Sequence, residues 1–303
     1  MITSLTHILC PVDLSNTSAK ALAYAVALAR RHGARVTALH VHQMLILPLE
    51  TVGPFGAPSI PTVLSDSERA QLEAALTRFV ADHAAPGVRV ATAFVEDVNV
   101  PSAILSHVGM VRADLVVIGT EGRSGVERLM LGSVAERVLR KATCPVLTVP
   151  PHAPAVPSPD SIHEVLCPVD FSASSTAALQ WAASWGATAG ARVTALHVVE
   201  MPPEAADPPL VEYSALRDRL TQNARHDLGR TIPDEIRRLT RVEEHVTVGR
   251  PAHEILRLAE ARSADLIVMG VRGRGAVDLA FFGSTTHQVV RRAACPVLAV
   301  HPE

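Results

Sequence analysis

Short runs of apolar residues recur along the chain, and Val116, Val117 and Ile118, ended by Gly119, are a clear example. Apolar residues at successive rather than alternate positions fit parallel strands covered on both faces. Longer stretches with helical character separate them. In the first half the pattern predicts strands at 7–12, 35–42, 88–95, 115–119 and 145–149, with helices at 17–32, 66–84, 101–112 and 133–142. Ser15 or Asn16 is the candidate cap of the first helix, and Gly33 ends it. Residues 43–64 carry Pro48, Pro54, Pro58 and Pro61, too many breakers for regular structure. In the second half the predicted strands are 163–169, 191–198, 241–248, 265–270 and 296–300. The helices between them fall at 174–189, about 210–229, 252–263 and 284–293.

The second half is a copy of the first. Cys10-Pro-Val-Asp13 returns as Cys167-Pro-Val-Asp170, and the nine residues Gly33 to Val41 return unchanged as Gly190 to Val198. Ala113-Asp114-Leu115 returns as Ala264-Asp265-Leu266, and Cys144 to Leu147 as Cys295 to Leu298. The offset falls from 157 (13 to 170) to 151 (144 to 295), so the second copy has lost a net six residues in between. Domains are therefore expected at 1–149 and 162–303, joined by a stiff, extended, proline-rich linker at 150–161.

Strands alternating with helices imply a parallel sheet with right-handed crossovers and helices on both faces. The expected fold class is α/β, with two tandem, doubly wound, five-stranded parallel-sheet domains of Rossmann-like type. Ligands of such folds sit beyond the carboxyl ends of the strands, where strand order reverses. Asp13 ends the first strand and Gly119 the fourth, so neighbouring strands there would turn both toward one crevice.

The glycine turns supply the chemistry. Gly119-Thr120-Glu121-Gly122 follows a strand, and Gly132-Ser133 opens a helix. Gly119 and Gly122 permit positive φ and close approach of main-chain N–H groups to an anion. The helix start adds free N–H groups and the positive end of a dipole, and the Ser133 hydroxyl can cap the helix or bond a phosphate oxygen. Gly270-Val271-Arg272-Gly273 and Gly283-Ser284 repeat the spacing.

Composition narrows the classes. With 303 residues and a net charge of -2, the chain has no broad basic field for nucleic acid and no acidic tail for a basic partner. Its only lysines, Lys20 and Lys141, lie outside the glycine turns, which removes a Walker-type loop. Cys10, Cys144, Cys167 and Cys295 form no Cys-x2-Cys pair and read as small core residues. No apolar run approaches about 20 residues, and no signal-peptide pattern opens the chain. A cytoplasmic protein without membrane or nucleic-acid partners is expected. No Gly-x-Ser-x-Gly elbow, His-Glu-x-x-His or other catalytic set is present.

Pro-Val-Asp-x-Ser after the first strand, Gly-x2-Gly-x9-Gly-Ser after the fourth and Cys-Pro-Val-Leu at the fifth together resemble the universal stress protein family, in both halves. The resemblance implies an adenine nucleotide alpha hydrolase-like fold, pseudo-twofold pairing of the domains through their fifth strands, and ATP binding. Asp13 and Asp170 would contact the ribose or adenine end, beside Pro11, Val12, Pro168 and Val169. The main chain of Val41 and Val198 would read the adenine edge. Gly119, Gly122, Gly132, Ser133 and Val134, with Gly270, Gly273, Gly283, Ser284 and Thr285, would hold ribose and phosphates. Arg123 and Arg274 are further phosphate candidates, and Mg²⁺ would bridge phosphate oxygens.

Taken alone, Asp13 and Asp170 read as helix-start residues accepting main-chain N–H bonds; beside the glycine turns, ligand contact is preferred. Glu121 is matched by Arg272, which predicts tighter ATP binding in the second domain. His40 and His42 share a strand face, but no third metal ligand is in view. The apolar 43–64 stretch is expected to cover a sheet end or an oligomer contact, with a ligand lid as the less favoured reading, and a homodimer of tandem chains is expected because the exposed sheet edges and this stretch need cover. The functional expectation is a nucleotide-responsive regulatory protein with slow or no ATP hydrolysis, its protein partner unknown. The alternatives are a scaffold module without nucleotide and, less favoured, an adenylating enzyme.

Overall fold

The computed structural model describes residues 5–48, 59–122, 131–154, 162–201, 210–271 and 283–301. The first half runs β1 (His7–Pro11), α1 (Asn16–His32), β2 (Arg35–Gln43), β3 (Ile46–Pro48), β4 (Ser59–Pro61), α2 (Asp66–His83), β5 (Val90–Asp97), α3 (Val100–Val111), β6 (Leu115–Gly119), α4 (Ser133–Lys141) and β7 (Val146–Val149). The second runs β8 (Glu164–Pro168), α5 (Ala173–Ala189), β9 (Arg192–Val199), α6 (Leu210–Thr231), α7 (Asp234–Leu239), β10 (Val242–Val248), α8 (Pro251–Ala261), β11 (Leu266–Gly270), α9 (Ser284–Arg292) and β12 (Val297–Val300).

Each half forms a five-stranded parallel sheet, and β7 joins β12 antiparallel to give one sheet of order β10-β9-β8-β11-β12-β7-β6-β1-β2-β5. Leu147 pairs with Leu298, its own copy in the duplication, so the pseudo-twofold axis passes between them. Helices cover both faces because the strands are apolar on both. Ile8, Cys10 and Val117 pack with α1, α2, α5, α6 and α7 on one face. Leu9, Val116 and Ile118 pack with α3, α4, α8 and α9 on the other. Each of these two layers draws residues from both halves, so the pairing of the fifth strands makes one continuous core.

Four expectations change. Within 43–64, β3 and β4 pair antiparallel, Pro48 opposite Ser59 and Ile46 opposite Pro61. Proline is tolerated there because this two-stranded ladder has only edges. Helix α7, six residues long, follows α6 where the pattern predicts no element, and Pro233 stands at its start. The linker begins as a packed turn rather than an extended spacer: Ala153 N–H donates to Pro150 O (3.0 Å), Lys20 Nζ donates to Pro151 O and Ala153 O, and Tyr24 OH donates to Pro154 O (3.2 Å). Finally, Gly132, not Ser133, is the cap of α4.

All four cysteines are free and buried. Burial pushes the Cys144 and Cys295 thiols up to about 12, and those of Cys10 and Cys167 upward as well.

One ion pair gives the acid limb of stability a direction. Arg262 donates twice to Glu243, Nη1 to Oε2 and Nη2 to Oε1 at 2.8 Å each. Those bonds hold the Glu243 carboxyl down at about 2 from an ordinary 4.5. The folded value lies below the unfolded one, so this stabilisation is complete above about 4.5 and is lost as pH falls toward about 2. Glu243→Gln is expected to flatten the pH dependence of urea unfolding within that window, modestly because the pair is partly solvated. An unchanged acid limb would count against it.

Candidate functional site

β1 pairs β2 on one side and β6 on the other, so strand order reverses between β1 and β6. Their carboxyl ends open the crevice that the fold offers to a ligand. Past β1 the chain turns sharply, Leu14 taking φ 65°. The Asp13 Oδ1 accepts the Ser15 N–H at 3.0 Å, and Ser15 in turn caps α1 by accepting the Ser18 N–H at 3.2 Å. Its Oδ2 faces the end of β6: a Cβ built on Gly122 would stand 3.1 Å from it. Both readings of Asp13 thus have a structural counterpart, one carboxylate oxygen serving the turn and the other reaching across the crevice.

The main chain beside Asp13 is held by β2. Val12 N–H donates to Leu39 O at 2.8 Å, and the His40 Nδ1–H donates to Val12 O at 2.8 Å. A carbonyl only accepts, so the imidazole proton sits on Nδ1. Hydrogen-bonding direction alternates along a strand. Val41 therefore shares the direction of Leu39 toward β1, two residues beyond Pro11↔Leu39, the last register pair of β1 and β2. Val12 is itself a core side chain, 4% exposed, so it offers the crevice only its main chain.

At the β6 end, the glycines serve in a different way from the one expected. Neither Gly119 nor Gly122 has positive φ. Gly119 lies against α1, where a Cβ would meet Thr17 Cγ2 at 2.9 Å. Thr120 N–H donates to Val149 O (3.1 Å) and Thr120 O accepts the Gly132 N–H (2.8 Å), which brings the start of α4 back to the strand end. A Cβ at Gly132 would press on that same Thr120 O at 3.1 Å. Gly132 has no side chain to cap α4, leaving the first N–H groups at Ser133 and Val134 to other acceptors. Ser133 is exposed and Val134 half-buried.

The second copy repeats the frame. Val169 N–H donates to Leu196 O (2.7 Å), and the His197 Nδ1–H donates to Val169 O (2.7 Å). Phe171 takes φ 65° as Leu14 does, and its ring lies 4.4 Å from that of His197. Val198 lies two residues past Pro168↔Leu196, the last register pair of β8 and β9. Gly283 N–H donates to Val271 O (3.0 Å) and caps α9 without a side chain, ahead of exposed Ser284 and half-buried Thr285. The copies also differ. Asp170 Oδ1 accepts both the N–H (3.0 Å) and the hydroxyl (2.6 Å) of Ser172, and Thr286 Oγ1 donates to Gly270 O (2.9 Å) where the first half has Ala135.

Arg123, Arg272, Gly273 and Arg274 lie outside the described residues. Among the described residues, no three of His, Cys, Asp and Glu gather as a metal site. His40 is 5% exposed and committed through Nδ1 to Val12. The expectations passed over Thr17, Ser174 and Ser175 beneath the strand-end glycines, and the positioning by His40 and His197. The unchanged repetition of Gly33–Val41 was the available signal for the histidines.

The universal stress protein family model matches residues 5–150 and 161–301. A universal stress protein of Mycolicibacterium smegmatis is 30% identical over 304 residues, covering 97% of each chain. A universal stress protein of Methanocaldococcus jannaschii is 34% identical over 145 residues, 47% of this chain and 80% of that one. The crystal structure of a universal stress protein from Archaeoglobus fulgidus aligns with a TM-score of 0.66 at 24% identity, covering 98% of this chain and 96% of that one, which speaks for the fold alone. Among the described residues no helix is long and apolar enough to cross a membrane.

Proposed function

Since this chain belongs to the universal stress protein family, we propose that each half binds ATP at the carboxyl ends of its strands and that the protein acts as a nucleotide-responsive regulator with slow or no hydrolysis. The observation that carries this reading is the meeting of Asp13, Gly122 and the side-chain-free start of α4 at the β1/β6 reversal. An adenine nucleotide needs an acceptor for its ribose or base, main-chain groups for the base edge, and donors for phosphate. These residues offer each kind. Asp13 accepts, Val41 presents main chain past the end of β1, and the uncapped N–H groups of Ser133 and Val134 favour anionic oxygens.

The two Gly132 and Gly122 contacts support the fit. Side chains there would fill the space between the strand end, Asp13 and α4. A divalent cation, Mg²⁺, would complete the site by bridging phosphate oxygens and lowering their mutual repulsion. With few carboxylates nearby, phosphate rather than protein would supply most of its ligands. The tandem chain is further proposed to form a dimer in the cytoplasm.

Calorimetry on the full chain tests the reading. Two ATP sites are expected, each lost separately: Asp13→Ala removes one and Asp170→Ala the other, each weakening its site about 10- to 100-fold, the worth of a hydrogen bond to a charged group. The Glu121/Arg272 difference makes the second site the tighter one. Asp170→Ala binding ATP as the unsubstituted chain does would overturn the assignment, and rapid phosphate release in the same samples would overturn the regulatory role.

A further inference from the structure

β5 and β10 end the ten-stranded sheet, and the two edges differ. On β10, Glu243 is held by Arg262 and Glu244 by Arg237 (Nη2 to Oε1, 2.6 Å), charged side chains of the kind that discourage further pairing. β5 has no charged residue from Val90 to Val95 and no proline. Val36 N–H donates to Arg89 O and Met44 N–H to Asp97 O, both at 3.0 Å, so alternate residues from Arg89 to Asp97 bond toward β2. Those between them, Val90, Thr92, Phe94 and Glu96, turn their main-chain N–H and C=O outward, where no strand among the described residues meets them.

Exposed apolar surface gathers at the same edge. Of the six large apolar side chains exposed among the described residues, four (Leu45, Ile46, Val63 and Val98) lie beside the carboxyl end of β5. Val98 follows β5 directly, the Met44 bond to Asp97 O brings Leu45 and Ile46 there, and Thr62 N–H donating to Leu45 O (2.8 Å) brings Val63. Such a patch marks an interaction site.

We propose that two copies of the chain pair edge to edge and antiparallel through β5. This rests on the dimeric reading of the chain and names its interface. The strand's own sequence selects a second copy. Antiparallel self-pairing that matches outward groups with outward groups needs a two-fold axis at a residue, and an axis at Ala93 aligns nearly the whole strand. Val90 then exchanges main-chain bonds with the partner's Glu96, and Thr92 with the partner's Phe94. Ala93 meets its own copy, a small side chain where two come close. Arg89 stands opposite the partner's Asp97 and Val98 opposite the partner's Val88, so opposite charges and apolar groups coincide, each twice by symmetry. Moving the axis to Thr92 or Phe94 separates Arg89 from Asp97. Glu96 is already neutralised by Arg69 of α2. The β7/β12 seam shows that this chain joins sheets in the same antiparallel way.

Sedimentation equilibrium of the full chain without nucleotide is expected to give twice the chain mass. Thr92→Pro removes an outward N–H and leaves the bonds to β2 whole, so it should give a monomer with the circular dichroism of the parent. Glu244→Pro, at the matching position of β10, should remain dimeric. Arg89→Asp and Asp97→Lys each set like charges opposite one another and should weaken self-association about tenfold. Asp97 also accepts the Asn99 N–H (2.8 Å), so the decisive sample is the equimolar mixture, in which opposite charges face each other again and the dimer returns. A monomeric parent overturns the dimer and this interface together, leaving the edge to an extended peptide of another protein. A dimer that survives Thr92→Pro, or that Glu244→Pro breaks, overturns the β5 interface alone, and charge variants that gain nothing on mixing overturn the axis at Ala93.

Discussion

Leu298→Ala is expected to lower the stability of the chain by about 2–5 kcal/mol, the range for deleting a fully buried leucine side chain. Leu298 is 0% exposed and faces Leu147, 1% exposed, on the seam between the two sheets. That seam is short. It comprises three register pairs between four-residue strands, with the Thr148 hydroxyl donating to Val297 O at 3.1 Å as an added bond. Both leucines lie in the layer packed by α1 and α5, so a cavity there loosens both halves at once. Urea unfolding followed by circular dichroism reports the whole chain, whereas tryptophan fluorescence reports only α5, which carries both indoles. The two probes should shift together in Leu298→Ala. Leu147→Ala with Leu298→Ala should be non-additive by at least about 0.5 kcal/mol because the side chains are cross-strand partners. A Leu298→Ala chain within about 0.5 kcal/mol of the parent would contradict this account, that being the usual range for surface changes.

Gly270→Ala is expected to cost about 1–3 kcal/mol through overpacking, and clearly more than Gly119→Ala at the equivalent place. A Cβ on Gly270 would lie 2.6 Å from Ser174 Cβ, 2.7 Å from Ser174 C and 2.9 Å from Ser175 N. Two of these atoms are main chain at the start of α5, so relief requires the helix to move. On Gly119 the nearest atom is Thr17 Cγ2, a side-chain methyl at 2.9 Å, with main chain no closer than 3.3 Å. Displacing α5 also disturbs Ser172, its cap, and through it the Asp170 turn, since Ser172 holds Asp170 Oδ1 by two bonds. ATP binding in the second half should therefore weaken along with stability. Thermal unfolding of the two variants decides the matter, and equal losses at Gly119 and Gly270 would refute the distinction.

Much of the architecture was legible because it rests on local pattern. The runs at Val116–Ile118 and Leu266–Met269 are apolar at every position, a requirement of strands covered on both faces. Gly33 and Gly190 end α1 and α5 with φ 66°, a conformation that glycine adopts at little cost. The repeat by itself makes Asp13 equivalent to Asp170. What escaped were short or permissive elements: a β3/β4 ladder with proline in both strands, and a six-residue α7 behind Pro233. Propensity over a few residues is weak, and tertiary contact overrides it.

At the candidate site the division is similar. Motif spacing picked out the strand-end glycines but misjudged their physical role at Gly119 and Gly270, where the absent Cβ makes room for a helix rather than for an unusual φ. The His40 and His197 bonds to Val12 and Val169 join strands nearly thirty residues apart, a separation of 28 in each copy.

The sequence by itself determined the duplication, the α/β class, the family resemblance and the residues that carry it, because repeats and apolar periodicity are written along the chain. Tertiary structure alone decided that Leu147 meets its own copy, that Asp13 reaches Gly122 across the β1/β6 reversal, and that β5 and β10 are left at the edges of the sheet. Each depends on which strands and helices become neighbours. That choice is made by burying both faces of a ten-stranded sheet at once, a condition on the whole chain that no local stretch contains.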